Sequence, residues 1–297
     1  MRPILRPGVR LLRRDRHTWQ LGLDWPGAAV VADSPALGAV LGSLDGFRDL
    51  EGVILAAASQ GVDAEQCGHI LDALIDRGLV TDGDLTRPAD VPESAWAAWS
   101  LMSGRSAGAG EIDGRRRAAA IAVDGAGMVA DEIRRLLPRA RVASGDPSPT
   151  TGLIVLADDA EPARSRADAA LHTGLPHLWA SVRDCVGLVG PFVLPGSTGC
   201  LRCADAGRAD VDPAWPTLLD EATRDAPVVA AVDEPLATAV AALAVHEIAV
   251  WASGLGPQTL GGVVEIPYGF GPVQRLDLDL HPQCGCGWPT WQDTMGA

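Results

Sequence analysis

The stretch AAAIAVDGAGMVADEIRRLLP, residues 118–138, decides the fold class of this chain. Its first six residues are the apolar run of a buried strand, and the residues that follow the glycines are typical of a helix. Gly125 and Gly127 stand where a phosphate-cradling turn carries glycines, and Ala130 has the usual position of a third glycine. A tight turn without any ligand has the same pattern, so the motif predicts an α/β unit and leaves nucleotide binding open.

Strands and helices continue to alternate on the C-terminal side of this stretch. Residues 153–157 (LIVLA) and 177–182 (HLWASV) are predicted strands of the same sheet, with a helix predicted between them. This order predicts an α/β domain with a mostly parallel sheet over residues 115–297.

Four of the six cysteines form two tight pairs, Cys200 with Cys203 and Cys284 with Cys286. Two pairs of thiolates at these spacings can hold one tetrahedral zinc ion. A fully thiolate-ligated ion has no open coordination position, so we expect a structural zinc ion that fastens the C-terminal tail. Free or redox-active thiols are the alternative interpretation.

The first part of the chain has a different pattern. Strand-like runs at residues 9–14, 18–23 and 28–32 precede three predicted helices, which together predict a small α+β winged helix-turn-helix domain over residues 1–86. Residues 87–114 are rich in Pro, Ser, Gly and Ala and are predicted to be a linker.

Composition limits the classes of function. The net charge of −14 argues against a general nucleic-acid or anionic-membrane binder, since phosphate binding depends on clustered cations. No apolar run is long enough to span a membrane, and arginines stand where a signal peptide is apolar, so we expect a cytoplasmic protein. All 24 basic residues are arginine, and the chain therefore has no lysine.

Residues 115–290 resemble the ThiF/MoeB-type adenylating enzymes, which activate a carboxyl terminus with ATP. The resemblance rests on the GAG loop, on LADDAEPAR with its Asp159, on the two cysteine pairs and on the apolar helix that contains Glu247. It implies a Rossmann-like fold and a homodimer. It also implies ATP with Mg²⁺ near Gly125, Gly127 and Asp159, with Asp159 as the catalytic residue if the chain is active.

The chain departs from that family between Gly127 and Asp159. The family has a longer stretch there, which contains an acidic residue for the ribose, an asparagine- and arginine-bearing segment and a lysine that contacts phosphates. The short segment and the lack of lysine remove cations that nucleotidyl transfer needs. Arginines after the loop could replace them or form an exposed helix face: Arg134, Arg135, Arg139 and Arg141. We therefore predict a non-catalytic domain, with ATP-dependent adenylation of a peptide or sulfur-carrier carboxyl terminus as the alternative.

The first domain is similar to leader-peptide recognition domains of ribosomally made, modified peptides, in which the precursor adds as a strand to the third β-strand. This similarity implies peptide contacts at Ala28, Val30, Ala32, Gln66 and His69. DNA is a poor fit because the candidate recognition helix is acidic. Both resemblances together imply a scaffold that binds a precursor peptide and delivers it to a modifying enzyme, as the accessory subunit of azoline-forming cyclodehydratases does.

Overall fold

The chain folds into two compact units, Met1–Gly114 and Arg115–Ala297. The computed structural model describes residues 1–24, 26–83, 87–103, 108–161, 163–223, 229–269 and 271–287. Each unit has its own buried core.

The first unit combines two small sheets with helices. Strand β1 (Pro3–Leu5) pairs with β5 (Val80–Asp82), while β2 (Leu11–Arg13), β3 (Thr18–Leu21) and β4 (Ala29–Ala32) form an antiparallel sheet in that order. Three helices follow β4, namely α1 (Pro35–Ser43), α2 (Leu50–Ala58) and α3 (Ala64–Asp76). Each has a side-chain N-cap, since Ser34, Asp49 and Asp63 each accept a hydrogen bond from a main-chain amide of the first turn.

Residues 87–114, predicted to be a linker, contain helix α4 (Glu93–Met102) and most of helix α5 (Ala109–Ala118). Trp96, Trp99 and Ile112 are buried together between these helices. The guanidinium of the buried Arg6 donates to the Gly78 and Ser100 carbonyl oxygens at 2.5 Å each, which ties α4 to the end of α3. The linker prediction followed the small and polar residues and overlooked the apolar surface that these large side chains bury.

The second unit is built on a seven-stranded mixed sheet. Its strands are β6 (Ile121–Gly125), β7 (Ser144–Gly145), β8 (Leu153–Asp158), β9 (His177–Arg183), β10 (Val186–Val193), β11 (Gly262–Pro267) and β12 (Gln274–Asp277), in the order β12–β11–β10–β9–β8–β6–β7. Strands β7, β6, β8 and β9 are parallel, whereas the pairs from β9 to β12 are antiparallel. The α/β prediction is confirmed, and the arrangement is consistent with a Rossmann-like fold. The sheet is less parallel than predicted because only Asp184 and Cys185 join β9 to β10, too few residues for a crossover.

Helices cover this sheet and one of them is central to the core. They are α6 (Met128–Leu136), α7 (Arg164–His172), α8 (Leu201–Val211), α9 (Trp215–Thr223) and α10 (Glu234–Ala252), with a 3₁₀ turn at Leu137–Ala140. Val240, Ala244 and Ile248 of α10 are buried in one cluster with Val129 and Ile133 of α6. Among the described residues α10 is the one helix long and apolar enough to cross a membrane, and 56% of that stretch is buried, as in a core helix.

Candidate functional site

A groove lies beside β4 in the first unit, with α1 and α3 as its other sides. Its volume is about 310 Å³. Its lining is mostly apolar and consists of Val31, Ala32, Ser34, Leu37, Gln66, Ile70, Ala73, Leu74 and Arg77. The four lining residues from α3 and Arg77 just after it recur at the spacing of one helix face, so this helix presents a single side to the groove.

The edge of β4 that faces away from β3 is the open edge of the small sheet. The Asp33 N–H donates to the His17 carbonyl oxygen at 2.7 Å, which makes Asp33 and His17 a hydrogen-bonded pair. Since such pairs alternate with non-hydrogen-bonded pairs along an antiparallel ladder, the N–H and C=O groups of Val30 and Ala32 point outward. Within the described part of the chain no strand pairs with this edge. The arrangement can accept an extended peptide as a further strand.

The structure brings part of the predicted peptide-binding set together. Ala32 and Gln66 both line the groove, whereas Val30 lies on the open edge with its side chain exposed. Ala28 immediately precedes β4, and His69 is exposed on α3 outside the groove lining. Ile70, Ala73 and Leu74 are not among the five predicted contacts, but they share one face of α3 with Gln66, and this spacing is the signal that could have added them.

The glycine loop of the second unit joins β6 to α6 and depends on its glycines. Gly125 and Gly127 have φ angles of 144° and 96°, which side-chain-bearing residues rarely adopt. A Cβ atom on Gly125 would lie 1.7 Å from the Ala157 carbonyl oxygen, and one on Gly127 would lie 2.3 Å from Oδ2 of Asp159. Both positions therefore need glycine for close approach as well as for conformation.

The Asp159 carboxylate occupies the N-terminus of α6. Its Oδ2 accepts from the Met128 N–H at 2.7 Å and its Oδ1 from the Val129 N–H at 2.9 Å. The free amides at a helix N-terminus are the groups that bind phosphate in nucleotide sites. Asp159 thus lies beside the loop glycines as predicted, but its side chain takes the donors that a phosphate would use.

The arginines near the loop have partners within the unit. Arg134 donates to the carbonyl oxygens of Val123 and Gly125, at 3.1 and 2.7 Å, and Arg135 pairs with Glu132 on its own helix. Arg166 bridges carboxylates at the ends of two neighbouring strands, Asp124 at 2.8 Å and Asp158 at 2.7 Å. Burial raises the pKa of Asp158 above its usual value, although the contact with Arg166 opposes this.

The four predicted zinc ligands lie together in the second unit. Cys200 and Cys203 are buried at the start of α8, and Cys284 and Cys286 are half-buried after β12. Neighbouring sulfur atoms are 3.3 to 3.8 Å apart, and all four lie within 4.8 Å of one another. A tetrahedral ion with metal–sulfur bonds of about 2.3 Å requires sulfur–sulfur distances of about 3.8 Å, so the cluster has the dimensions of a zinc site.

The chemistry of this sulfur cluster also fits a dication. The Cys200 thiol and the His281 amide donate to Cys203 and lower its pKa to about 4, whereas burial raises the pKa of Cys286 to about 12. Without an ion the cluster thus holds a thiolate beside thiols, and a bound zinc ion would favour the thiolate form of all four. The His281 ring has other partners, since its Nε2 lies 2.9 Å from Asp210 and its Nδ1 accepts from the Gln283 N–H at 3.3 Å.

Glu247, in the helix that contributes to the family resemblance, is a buried acceptor in the core. Its Oε2 accepts from both the N–H and the Oγ1 of Thr259 at 2.7 Å. Glu247 therefore fixes the turn that leads into β11.

Comparison with known proteins gives structural matches only. No family model matches this sequence, and no curated protein matches it. A heterocyclase in complex with substrate and cofactor matches with a TM-score of 0.73 and 18% identity, over 99% of this chain and 40% of that chain. The heterocyclase TruD matches with a TM-score of 0.73 and 20% identity, over 96% of this chain and 42% of that chain. MccB of E. coli, in complex with selenomethionine-labelled MccA, matches with a TM-score of 0.68 and 13% identity, over 97% of this chain and 99% of that chain.

The chain thus spans about two fifths of the length of the heterocyclases, at 40% and 42%, and nearly all of MccB, at 99%. At such low identities the likeness shows a shared fold and does not transfer an activity. The fold class is therefore that of these heterocyclase and MccB structures.

Proposed function

We propose that this protein binds a precursor peptide in its first unit and delivers it to a separate modifying enzyme, such as a cyclodehydratase. One observation carries the proposal: the outward N–H and C=O groups of Val30 and Ala32 lie beside an apolar groove. Main-chain pairing with β4 would provide affinity, and the groove would select side chains. The acidic surface of α3 makes DNA a poor alternative ligand.

The arrangement of the first unit and the matched proteins support a peptide as the ligand. Strands β2–β4 precede helices α1–α3, which is the element order expected of the winged helix-turn-helix domain that we propose over residues 1–86. A heterocyclase holding its substrate and MccB holding MccA share the fold of this chain. Ala28, Val30, Ala32, Gln66 and His69 remain the proposed contacts, and we add Ile70 and Ala73 from the groove.

Asp159 supports a non-catalytic second unit. Its carboxylate satisfies the α6 amides and would repel a phosphate there. The chain also has no lysine to neutralise the phosphates. We propose that Gly125, Gly127 and Asp159 are a remnant of a nucleotide site, and that the second unit is a scaffold which pairs as a homodimer.

Zinc would be structural in this proposal. Cys200, Cys203, Cys284 and Cys286 would hold it, and the ion would fasten the segment after β12 to the start of α8. A reducing compartment such as the cytoplasm, which we propose as the location, would keep these thiols free to bind the ion.

ATP-dependent adenylation of a peptide carboxyl terminus is the alternative function. A structure of MccB contains ATP and matches this chain with a TM-score of 0.67. The positive φ angles of Gly125 and Gly127 also preserve the backbone of a phosphate loop. This function would require the Asp159 carboxylate to leave the α6 amides. Release of AMP and pyrophosphate from ATP with a bound peptide would establish it and overturn the scaffold.

Peptide display tests the proposed function. We would select binders from a random peptide library and measure their affinity for the zinc-loaded protein and for Val30→Pro, which removes an outward N–H without breaking the β3 ladder. Leu11→Pro is the matched control, because its N–H faces outward on the opposite edge of the same sheet. We expect binders whose affinity falls at least about tenfold with Val30→Pro and is unchanged with Leu11→Pro. Equal affinity for both variants would rule out strand addition at β4.

A further inference from the structure

A group of arginines and acidic residues surrounds Trp215 in the second unit. We call it the Trp215 cluster, and its members are Glu161, Arg164, Arg183, Asp205, Arg208 and Trp215. They come from β9, α7, α8, the start of α9 and the residues before α7. The cluster lies outside the glycine loop and the cysteine centre.

Both carboxylates of the cluster are engaged by its arginines. Arg164 makes two hydrogen bonds to Asp205, at 2.7 and 2.9 Å, and an ion pair with Glu161 at 2.6 Å. Arg183 shares Glu161 at 3.1 Å. The indole N–H of Trp215 also donates to Asp205 at 3.2 Å, which fixes the ring against this frame.

Arg208 is the third arginine of the cluster, and neither of the two carboxylates forms an ion pair with it. Its guanidinium carbon lies 4.8 Å from the centre of the Trp215 ring, and that of Arg183 lies 5.8 Å from the same ring. Among the described residues no carboxylate comes within ion-pair distance of Arg208, which is half-buried. Burial, assisted by the like charge of Arg183, lowers the pKa of Arg208. A half-buried cation beside a second cation has an electrostatic cost that an anion would offset.

We propose that Arg208 and Arg183, held against Trp215, bind an oxyanion of a ligand, either a carboxylate or a phosphate group. Guanidinium groups present planar pairs of N–H donors that match both kinds of oxyanion. The cluster contains three guanidiniums and two carboxylates, so one bound anion would balance its charge. The site is independent of the groove in the first unit and does not require the proposed function to hold.

Nuclear magnetic resonance of the Trp215 indole N–H tests this site on the zinc-loaded full chain, with Trp215→Phe to assign the signal. We would titrate sodium phosphate and sodium acetate separately, with sodium chloride holding ionic strength constant. We expect a saturable shift, a dissociation constant about tenfold weaker in Arg208→Gln, and an unchanged one in Arg139→Gln, an exposed arginine of the same unit. Tighter phosphate binding would assign a phosphorylated ligand, and tighter acetate binding would assign a carboxylate.

Arg208→Lys keeps the test decisive if Arg208→Gln does not fold. It retains the charge but loses the planar pair of donors, so we expect binding to weaken by a few fold. A shift that does not saturate, or equal affinity in wild type and the folded Arg208 variants, would overturn the site.

Discussion

Asp159 shows how one side chain can occupy the amides at the end of a glycine loop, here through two hydrogen bonds to the start of α6. Two main-chain amides of α6 donate to its carboxylate, and Gly127 lies so close that any side chain there would collide with it. The residue that the family resemblance marks as catalytic is therefore also a helix cap in this chain.

Replacing Asp159 should measure that capping role. We expect Asp159→Ala to lower the free energy of unfolding by about 1 kcal/mol, since two α6 amides lose their acceptor. Urea denaturation would measure it, with Asp131→Ala as the control because Asp131 is exposed on the same helix. Equal stability of the two variants would show that the cap contributes little.

His177 predicts a dependence of stability on pH. It is fully buried at the start of β9, and its Nε2 has no hydrogen-bond partner in the described structure. Burial lowers its pKa, so the unfolded chain binds the proton more readily. The stabilisation is therefore complete above about pH 6.5 and is lost as the pH falls.

Substitution of His177 should remove this loss. Between pH 7 and pH 5 we expect His177→Leu to lose less stability than wild type, by up to about 2 kcal/mol. Urea denaturation at each pH would measure the difference. His172→Leu, at an exposed histidine of the same unit, should behave as wild type does. A His177→Leu profile parallel to that of wild type would contradict a buried neutral imidazole.

At the scale of elements, α4 and α5 form a packed part of the first unit. Trp99 is 5% exposed and shares its cluster with Trp96 and Ile112. We expect Trp99→Ala to lower the free energy of unfolding by about 3 kcal/mol or more, because it leaves a cavity. The exposed Glu93→Ala on the same helix should change it by less than about 0.5 kcal/mol. Thermal and urea denaturation would measure the stability of both variants. If this segment were a flexible linker, neither substitution would change the free energy of unfolding.

Much of the element order could be predicted from the sequence, for identifiable reasons. Apolar runs such as residues 153–157 predicted buried strands, and α3 is one of the three helices predicted after the strand-like runs of the first unit. The antiparallel half of the sheet could not be predicted in this way, since it depends on a turn in which Asp184 and Cys185 both adopt positive φ. Nor could the pairing of β1 with β5, because those two short strands are far apart in sequence.

The candidate sites also differ in how far the sequence could predict them. The cysteine spacings predicted that the four thiols would lie together, because two tight pairs are typical of a shared metal site. The capping contact of Asp159 could not be predicted, since it depends on the relative position of β8 and α6. The same holds for the Trp215 cluster, whose residues come from separate elements.

At the scale of the whole molecule, the cysteine centre joins distant parts of the second unit. We expect about one zinc ion per chain by elemental analysis. Cys284→Ser should lose the zinc and lower the melting temperature, because the segment after β12 is released. Cys185→Ser, at a half-buried cysteine outside the centre, should retain both. A wild-type protein that has the same melting temperature with and without zinc would exclude a structural metal.

The separation of the two cysteine pairs also bears on biosynthesis. Cys284 follows Cys200 by 84 positions. During translation the first two thiols emerge well before the second two, so the chain can offer only half of a coordination sphere until Cys284 and Cys286 have emerged. In the proposed zinc site, coordination by all four thiols would then have to wait until residues 284–286 have been synthesised, and a shortage of zinc would leave the segment after β12 unattached to α8.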